Sequence, residues 1–155
     1  MVSMRISRIT SIDQSAGSHK VFLENSGGDS LIAKAPLPKT EYELEDSTLA
    51  VSAHFDFKGY QVDAGSAVNP DSSPFIEVAA LFVITYELDD GPPIDADDLS
   101  AFALVNGSFN LWPYWREYLE GALVRAGLPR FRLPPLNLAK LVAESSTGAP
   151  DQAGD

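Results

Sequence analysis

"FIEVAALFVITYEL", residues 75–88, carries apolar side chains on both faces of a strand. Branched and aromatic residues dominate it, and neither proline nor glycine interrupts it. At a period of two, Ile76, Val78, Ala80, Phe82, Ile84, Tyr86 and Leu88 fall on one face. Phe75, Ala79, Leu81 and Val83 fall on the other, interrupted by Glu77. The first face needs a cover of helices. An antiparallel sheet in a small protein commonly leaves its second face in water, so an apolar second face predicts a further contact, with another subunit or an apolar ligand.

Working upstream, TLAVSAHFDFKGYQV (48–62) alternates strictly, with Val51, Ala53, Phe55 and Phe57 against Ser52, His54, Asp56 and Lys58. It reads as a half-buried strand, and the turn-rich DAGSAVNPDSSP (63–74) joins it to the 75–88 strand as a long hairpin. TEYELED (40–46) is a short strand before it. Residues 25–38, with Gly-Gly and Pro36 and Pro38, read as a crossover loop. The first part predicts a strand over 4–13 and an extended piece near 19–24, with a bulge or break at Gly17.

Downstream the period changes. Asp95 is placed to cap a short helix in ADDLSAFAL, Pro113 suits the first turn of a longer one, and Gly127 suits its end. Trp115, Tyr118, Leu119, Ala122, Leu123 and Ala126 form one apolar stripe at helical spacing. LPRFRLPPLN (128–137) is held extended by its prolines. Asn137 caps a last helix, LAKLVAE, and an acidic, disordered tail follows. Strands first and helices last make an α+β fold, with one domain over 1–143 and a tail over 144–155.

The chain has 155 residues, no cysteine and a formal charge of −11. It is long enough for a sizeable core, offers no disulfide or thiolate chemistry, and would repel a phosphate backbone. The apolar run VAALFVI (78–84) is too short to span a bilayer, and MVSMRISRIT lacks the apolar core of a signal peptide. A cytoplasmic protein without nucleic-acid partners or membrane insertion is expected.

Candidate chemistry is sparse. His54 and Asp56 share a strand face, but two ligands without a third make a weak metal site. Glu87, Asp89, Asp90, Asp95, Asp97 and Asp98 lack the ligand spacing of a calcium loop. No phosphate-binding glycine motif or nucleophile elbow is present. These features predict a binding protein with no catalytic residues, metal or cofactor, not an enzyme.

"LWPYWREYLEGALVRAGLPRFRLPPLNLAKL" (111–141) resembles the C-terminal signature of the SecB family of export chaperones. Pro113, Tyr114, Arg116, Glu117, Gly127, Pro129, Leu133, Pro135 and Asn137 stand in the family's places and order. The resemblance implies a four-stranded antiparallel sheet covered on one side by a long helix and a short C-terminal helix. It implies assembly as a dimer of dimers, or as a dimer, and ATP-independent binding of non-native polypeptides in apolar grooves. Phe55, Phe57, Trp112, Phe131, Leu133 and Leu136 are the groove candidates on this reading. Trp115, Tyr118, Leu119, Ala122 and Leu123 are candidates for the oligomer interface as well as for the core. Phe75 and Glu77 mark the sheet face on which the family docks a translocase motor.

Two departures stand out. Leu81 and Phe82 replace the family's paired glycines, which predicts a bulkier, more apolar sheet face and weaker motor docking. Trp115 replaces a common alanine, which puts the tetramer's helix spacing in question. Some SecB-like proteins instead protect the antitoxin of a toxin-antitoxin pair, and a dedicated partner of that kind, or a structural subunit role, are the alternatives to a general chaperone.

Overall fold

Residues 6–21, 30–62, 74–128 and 133–147 are described in the computed structural model. The 75–88 segment forms β5 (Ile76–Leu88), flanked in an antiparallel sheet by β1 (Ile6–Val21) and β4 (Thr48–Val62). Its even-numbered side chains are all buried and its odd-numbered ones half-buried, as the two-faced pattern requires. β4 and β5 pair with Val51 opposite Ile84 and Phe57 opposite Val78, so both apolar faces turn the same way.

The far side of β4 is shared by two strands. β2 (Ser30–Lys34) pairs with residues 58–62 of β4, and β3 (Lys39–Glu45) with residues 48–54. The sheet thus has five strands in four positions. The expected crossover at 25–38 is corrected in its second half, which contributes β2; its residues 25–29 lie outside the described ones. Only 35–38 cross over, where Pro36 and Pro38 bring no amide hydrogen to a ladder.

β1 is continuous, so of the bulge or break expected at Gly17 the break is absent: Gly17 pairs with Ala80, and the nearest irregularity is the register shift at Gln14/Ala16. The strand instead takes three register shifts, at Ile6/Arg8, Ile9/Ser11 and Gln14/Ala16. Gly17 serves a close approach. A β-carbon there would lie 2.5 Å from the Tyr118 hydroxyl.

On the helical side, Asp95 caps α1 (Ala96–Phe102), its carboxylate accepting from the Asp98 amide at 2.9 Å. The longer helix does not begin at Pro113. α1 runs through a π-helical turn, Ala103–Gly107, into α2 (Ser108–Arg125), with Pro113 inside it. The extra turns are held by burial of Ala103, Leu111 and Trp112, which overrides the proline's lost amide. Gly107 admits the close packing, because a β-carbon there would lie 2.6 Å from Val51 Cγ1.

α2 ends as its sequence predicts. Gly127 takes a φ of 75°, its amide bonds Val124 O, and the Leu128 amide bonds Leu123 O, both at 3.0 Å. Asn137 caps α3 (Leu138–Thr147), its side chain accepting from the Lys140 amide at 3.0 Å. α3 runs past the helix expected at 138–144, and residues 148–155 of the expected tail lie outside the described residues. Leu141 anchors α3 in the interior.

Candidate functional site

An aromatic layer fills the space between β4, β5 and α2. Phe55 stacks on Trp115 with ring centroids 5.4 Å apart and meets Phe82 edge-on at 6.0 Å. Trp112 closes the group at 6.1 Å from Phe55. Phe82 also faces the rings of Tyr114 and Tyr118. Alternation on the strands supplies one half of this layer and the helical stripe the other.

A strap of extended chain, residues 133–137, lies over its rim. Leu133 is 3% exposed, Leu136 is half-buried, and the Trp112 indole N–H donates to the Pro134 carbonyl at 3.0 Å. Tyr86, beneath the α1 end of the layer, accepts a hydrogen bond from Asn110 at 2.8 Å and meets Phe102 edge-on. Burial raises the Tyr86 hydroxyl above its ordinary pKa, against the smaller lowering effect of the Asn110 bond.

The expected groove residues are therefore distributed unevenly. Phe55, Phe57, Trp112 and Leu133 come together, but all four are buried in the single chain. Leu136 stands at the rim, and Phe131 lies outside the described residues. Of the expected interface residues, Trp115, Leu119, Ala122 and Leu123 are buried against their own sheet. Tyr118 alone stays partly open. The Trp115 ring points into its own sheet instead of away from it.

Exposed apolar side chains lie elsewhere. Phe109, Tyr114 and Val124 stand on the solvent side of α2, Leu138 and Val142 on α3, and Ile9 on β1. Phe109 escaped the sequence reading because the helix was expected to start four residues after it. Phe109, Pro113, Glu117, Gly121 and Val124 fall at i, i+4, i+8, i+12 and i+15, a second ridge that an earlier start reveals.

The outer sheet face carries the other expected site. Phe75 does not reach that face: it is buried, with its amide bonded to Gly59 O at 2.7 Å. Glu77 does, half-buried between Lys20 of β1 and Lys58 of β4. Leu81 and Phe82 divide between the faces, since Phe82 is core and only Leu81 adds bulk outside. The expectation that both residues enlarge this face is corrected accordingly. Across the strands, the rows read Lys20, Glu77, Lys58, Lys34 at one end and Arg8, Glu87, Thr48, Glu45 at the other.

Among the described residues no group of three or more His, Cys, Asp or Glu side chains is placed to hold a metal ion. His54 and Asp56 stand 3.8 Å apart on the open face. No described helix is long and apolar enough to cross a membrane.

No protein-family model and no curated protein matches the chain. Among solved structures, it is similar to the SecB-like chaperone Rv1957 of Mycobacterium tuberculosis, solved in complex with a ChAD peptide from the Rv1956 HigA1 antitoxin. The TM-score is 0.68 and the identity 18%, over 84% of this chain and 90% of that one. The fold is SecB-like: an antiparallel sheet under a long helical run and a short C-terminal helix.

Proposed function

We infer that this chain is an ATP-independent holdase of the cytoplasm. It binds non-native polypeptides against the aromatic layer under the strap and keeps them soluble. The observation that carries this reading is the SecB-like fold over 84% of the chain together with the layer of Phe55, Trp112, Trp115 and Phe82 roofed by a strap pinned at Trp112. Aromatic surface suits varied clients because it gives large contact area at little entropic cost. Each client leucine or phenylalanine buried contributes about 1.5–3 kcal/mol.

Since Phe55, Phe57 and Leu133 are buried in the isolated subunit, client binding requires the strap to give way. Leu136, Leu138 and Val142 at its end offer the first contacts. Catalysis plays no part in this reading.

A dedicated role is the second reading, favoured by the antitoxin peptide bound in the structural neighbour. Such a protein would hold one unstable apolar segment of one partner. Assembly as a dimer, or as a dimer of dimers, fits the ridge of Phe109 and Val124 on α2, with Tyr118 at its flank. Glu77 between two lysines fits an acidic motor-docking face poorly.

The test is suppression of aggregation of an unrelated denatured protein, followed by light scattering without nucleotide at near-stoichiometric ratios. Suppression supports the general holdase. A folded protein that leaves the aggregation unchanged excludes it and directs the search to a single partner by pull-down.

A further inference from the structure

The outer sheet face is divided by charge. Four of the chain's five lysines gather at one end: Lys20, Lys58 and Lys34 in one cross-strand row, and Lys39 opposite His54 two rows on. Among the described residues only Glu77 and Asp56 oppose them there. The other end holds Glu41, Glu43 and Glu45 of β3 with Asp13 and the Arg8–Glu87 pair. In a chain of charge −11 such a gathering of lysines is not a compositional accident of a basic surface.

Lys58 and Lys34 are direct partners in the β4–β2 ladder. Like charges placed so are mutually destabilising. The Lys34 ammonium is drawn over the Tyr60 ring, 5.5 Å from its centre, and none of the four lysines forms an ion pair with a described carboxylate. Two depressions adjoin Lys58: one of about 580 Å³ lined by Lys34, Pro36, Tyr60 and Asp56, and one of about 280 Å³ lined by Ser18, Lys20, Ala79, Asp56 and Glu77. The four lysines are thus exposed, outnumber the two carboxylates described among them, and border open space.

We propose that this end of the outer face docks a short acidic polypeptide segment, its carboxylates bridging Lys58 to Lys34, which are direct cross-strand neighbours with no carboxylate between them. Lys39 borders the acidic half, which begins two residues further on at the row of Ser52 and Glu41, six residues along β4 from the Lys58–Lys34 pair. That is about 20 Å at the strand rise, roughly two Debye lengths at 0.1 M salt. A short acidic segment therefore feels the lysines and little of the glutamates. A nucleic acid longer than the patch would run onto the acidic half and be repelled, which is why the occupant is a peptide. The surface lies on the opposite side of the sheet from the strap, so the assignment stands apart from the client-binding reading.

The probe is fluorescein-labelled hexaglutamate, titrated with the full chain at about 0.1 M salt and followed by anisotropy. Saturable binding is expected, absent for a Gly-Ser hexamer. Replacing both Lys34→Gln and Lys58→Gln is expected to weaken it about tenfold, while Lys140→Gln on α3 leaves it unchanged, with all variants folded by circular dichroism. No saturable binding, equal loss in K140Q, or equally tight binding of a single-stranded oligonucleotide of the same charge overturns the proposal. Aggregation suppression by the double variant equal to that of the unaltered protein is expected. A selective loss of suppression in that variant overturns the separation of the two surfaces.

Discussion

Trp112 joins helix to strap through one hydrogen bond, its indole N–H to the Pro134 carbonyl, with the ring 8% exposed. Trp112→Phe keeps an aromatic ring in the layer and removes that bond. Loss of about 1 kcal/mol is expected, seen as a lower urea midpoint, with faster amide exchange at Leu136 and Asn137. Unchanged exchange would mean that burial of Leu133, not Trp112, pins the strap. Tyr86 gives a second residue-scale expectation. Its raised pKa means that the folded state favours the neutral hydroxyl, so its contribution is fully present below the ordinary value of 10.0 and is lost as pH rises from there toward the folded value. Tyr86→Phe should flatten the fall in unfolding free energy above pH 10, relative to the unaltered protein. An equally steep fall would assign the alkaline loss to other groups. At this scale the sequence was informative about side-chain direction, because alternation alone placed Val51, Ala53, Phe55 and Phe57 inward. It was silent on the Trp112–Pro134 bond, which joins residues 22 apart in sequence through a backbone carbonyl that no residue type announces.

Elements were legible where local chemistry decides them, and illegible where packing does. The Asp95 cap, the Gly127 ending and the Asn137 cap each satisfy orphan backbone groups with a side chain or a left-handed glycine, and each was readable. The start of α2 was not, because Pro113 is a good first-turn residue by itself and only burial of Leu111 and Trp112 carries the helix past it. At Gly17 the nearby irregularity was readable but the glycine's role was not, for a related reason: its missing side chain makes room for Tyr118, a residue on another element. The junction of the π turn with α2 provides a pair of opposite expectations. Gly107→Ala drives a β-carbon to 2.6 Å from Val51 Cγ1 and should cost about 1–3 kcal/mol. Ser108 is fully buried and its hydroxyl has no partner among the described residues, so Ser108→Ala should gain stability, by up to about 1–3 kcal/mol. Urea denaturation of the two variants checks both signs. A gain in the first or a loss in the second would show that the junction relaxes differently from its present packing.

For the whole molecule, the open question at the surface is what covers the ridge of α2 that faces away from the sheet. The stripe from Trp115 to Leu123, a candidate for both core and interface, is spent on the subunit's own core, as a helix over a sheet requires. What remains outward is Phe109, 55% exposed, and Val124, 51% exposed, with Pro113, Glu117 and Gly121 between them. Fifteen residues of helix set the two apolar ends about 22 Å apart, long enough for two such helices to cross. Gly121, one turn before Val124, adds no side chain of its own to the ridge near that end. A charge at either end should then disturb association without disturbing the fold, because neither side chain contributes to the core. On the proposed assembly, Val124→Glu combined with Phe109→Glu is expected to reduce the mass measured by light scattering after size exclusion toward the single chain's 16.7 kDa, with an unchanged circular dichroism spectrum, and a monomeric unaltered protein would overturn that assembly. If the folded variant keeps the oligomer's mass, the subunits meet through another surface. The sheet edge at β1, where Ile9 is exposed beside the register shifts, is then the next place to introduce a charge.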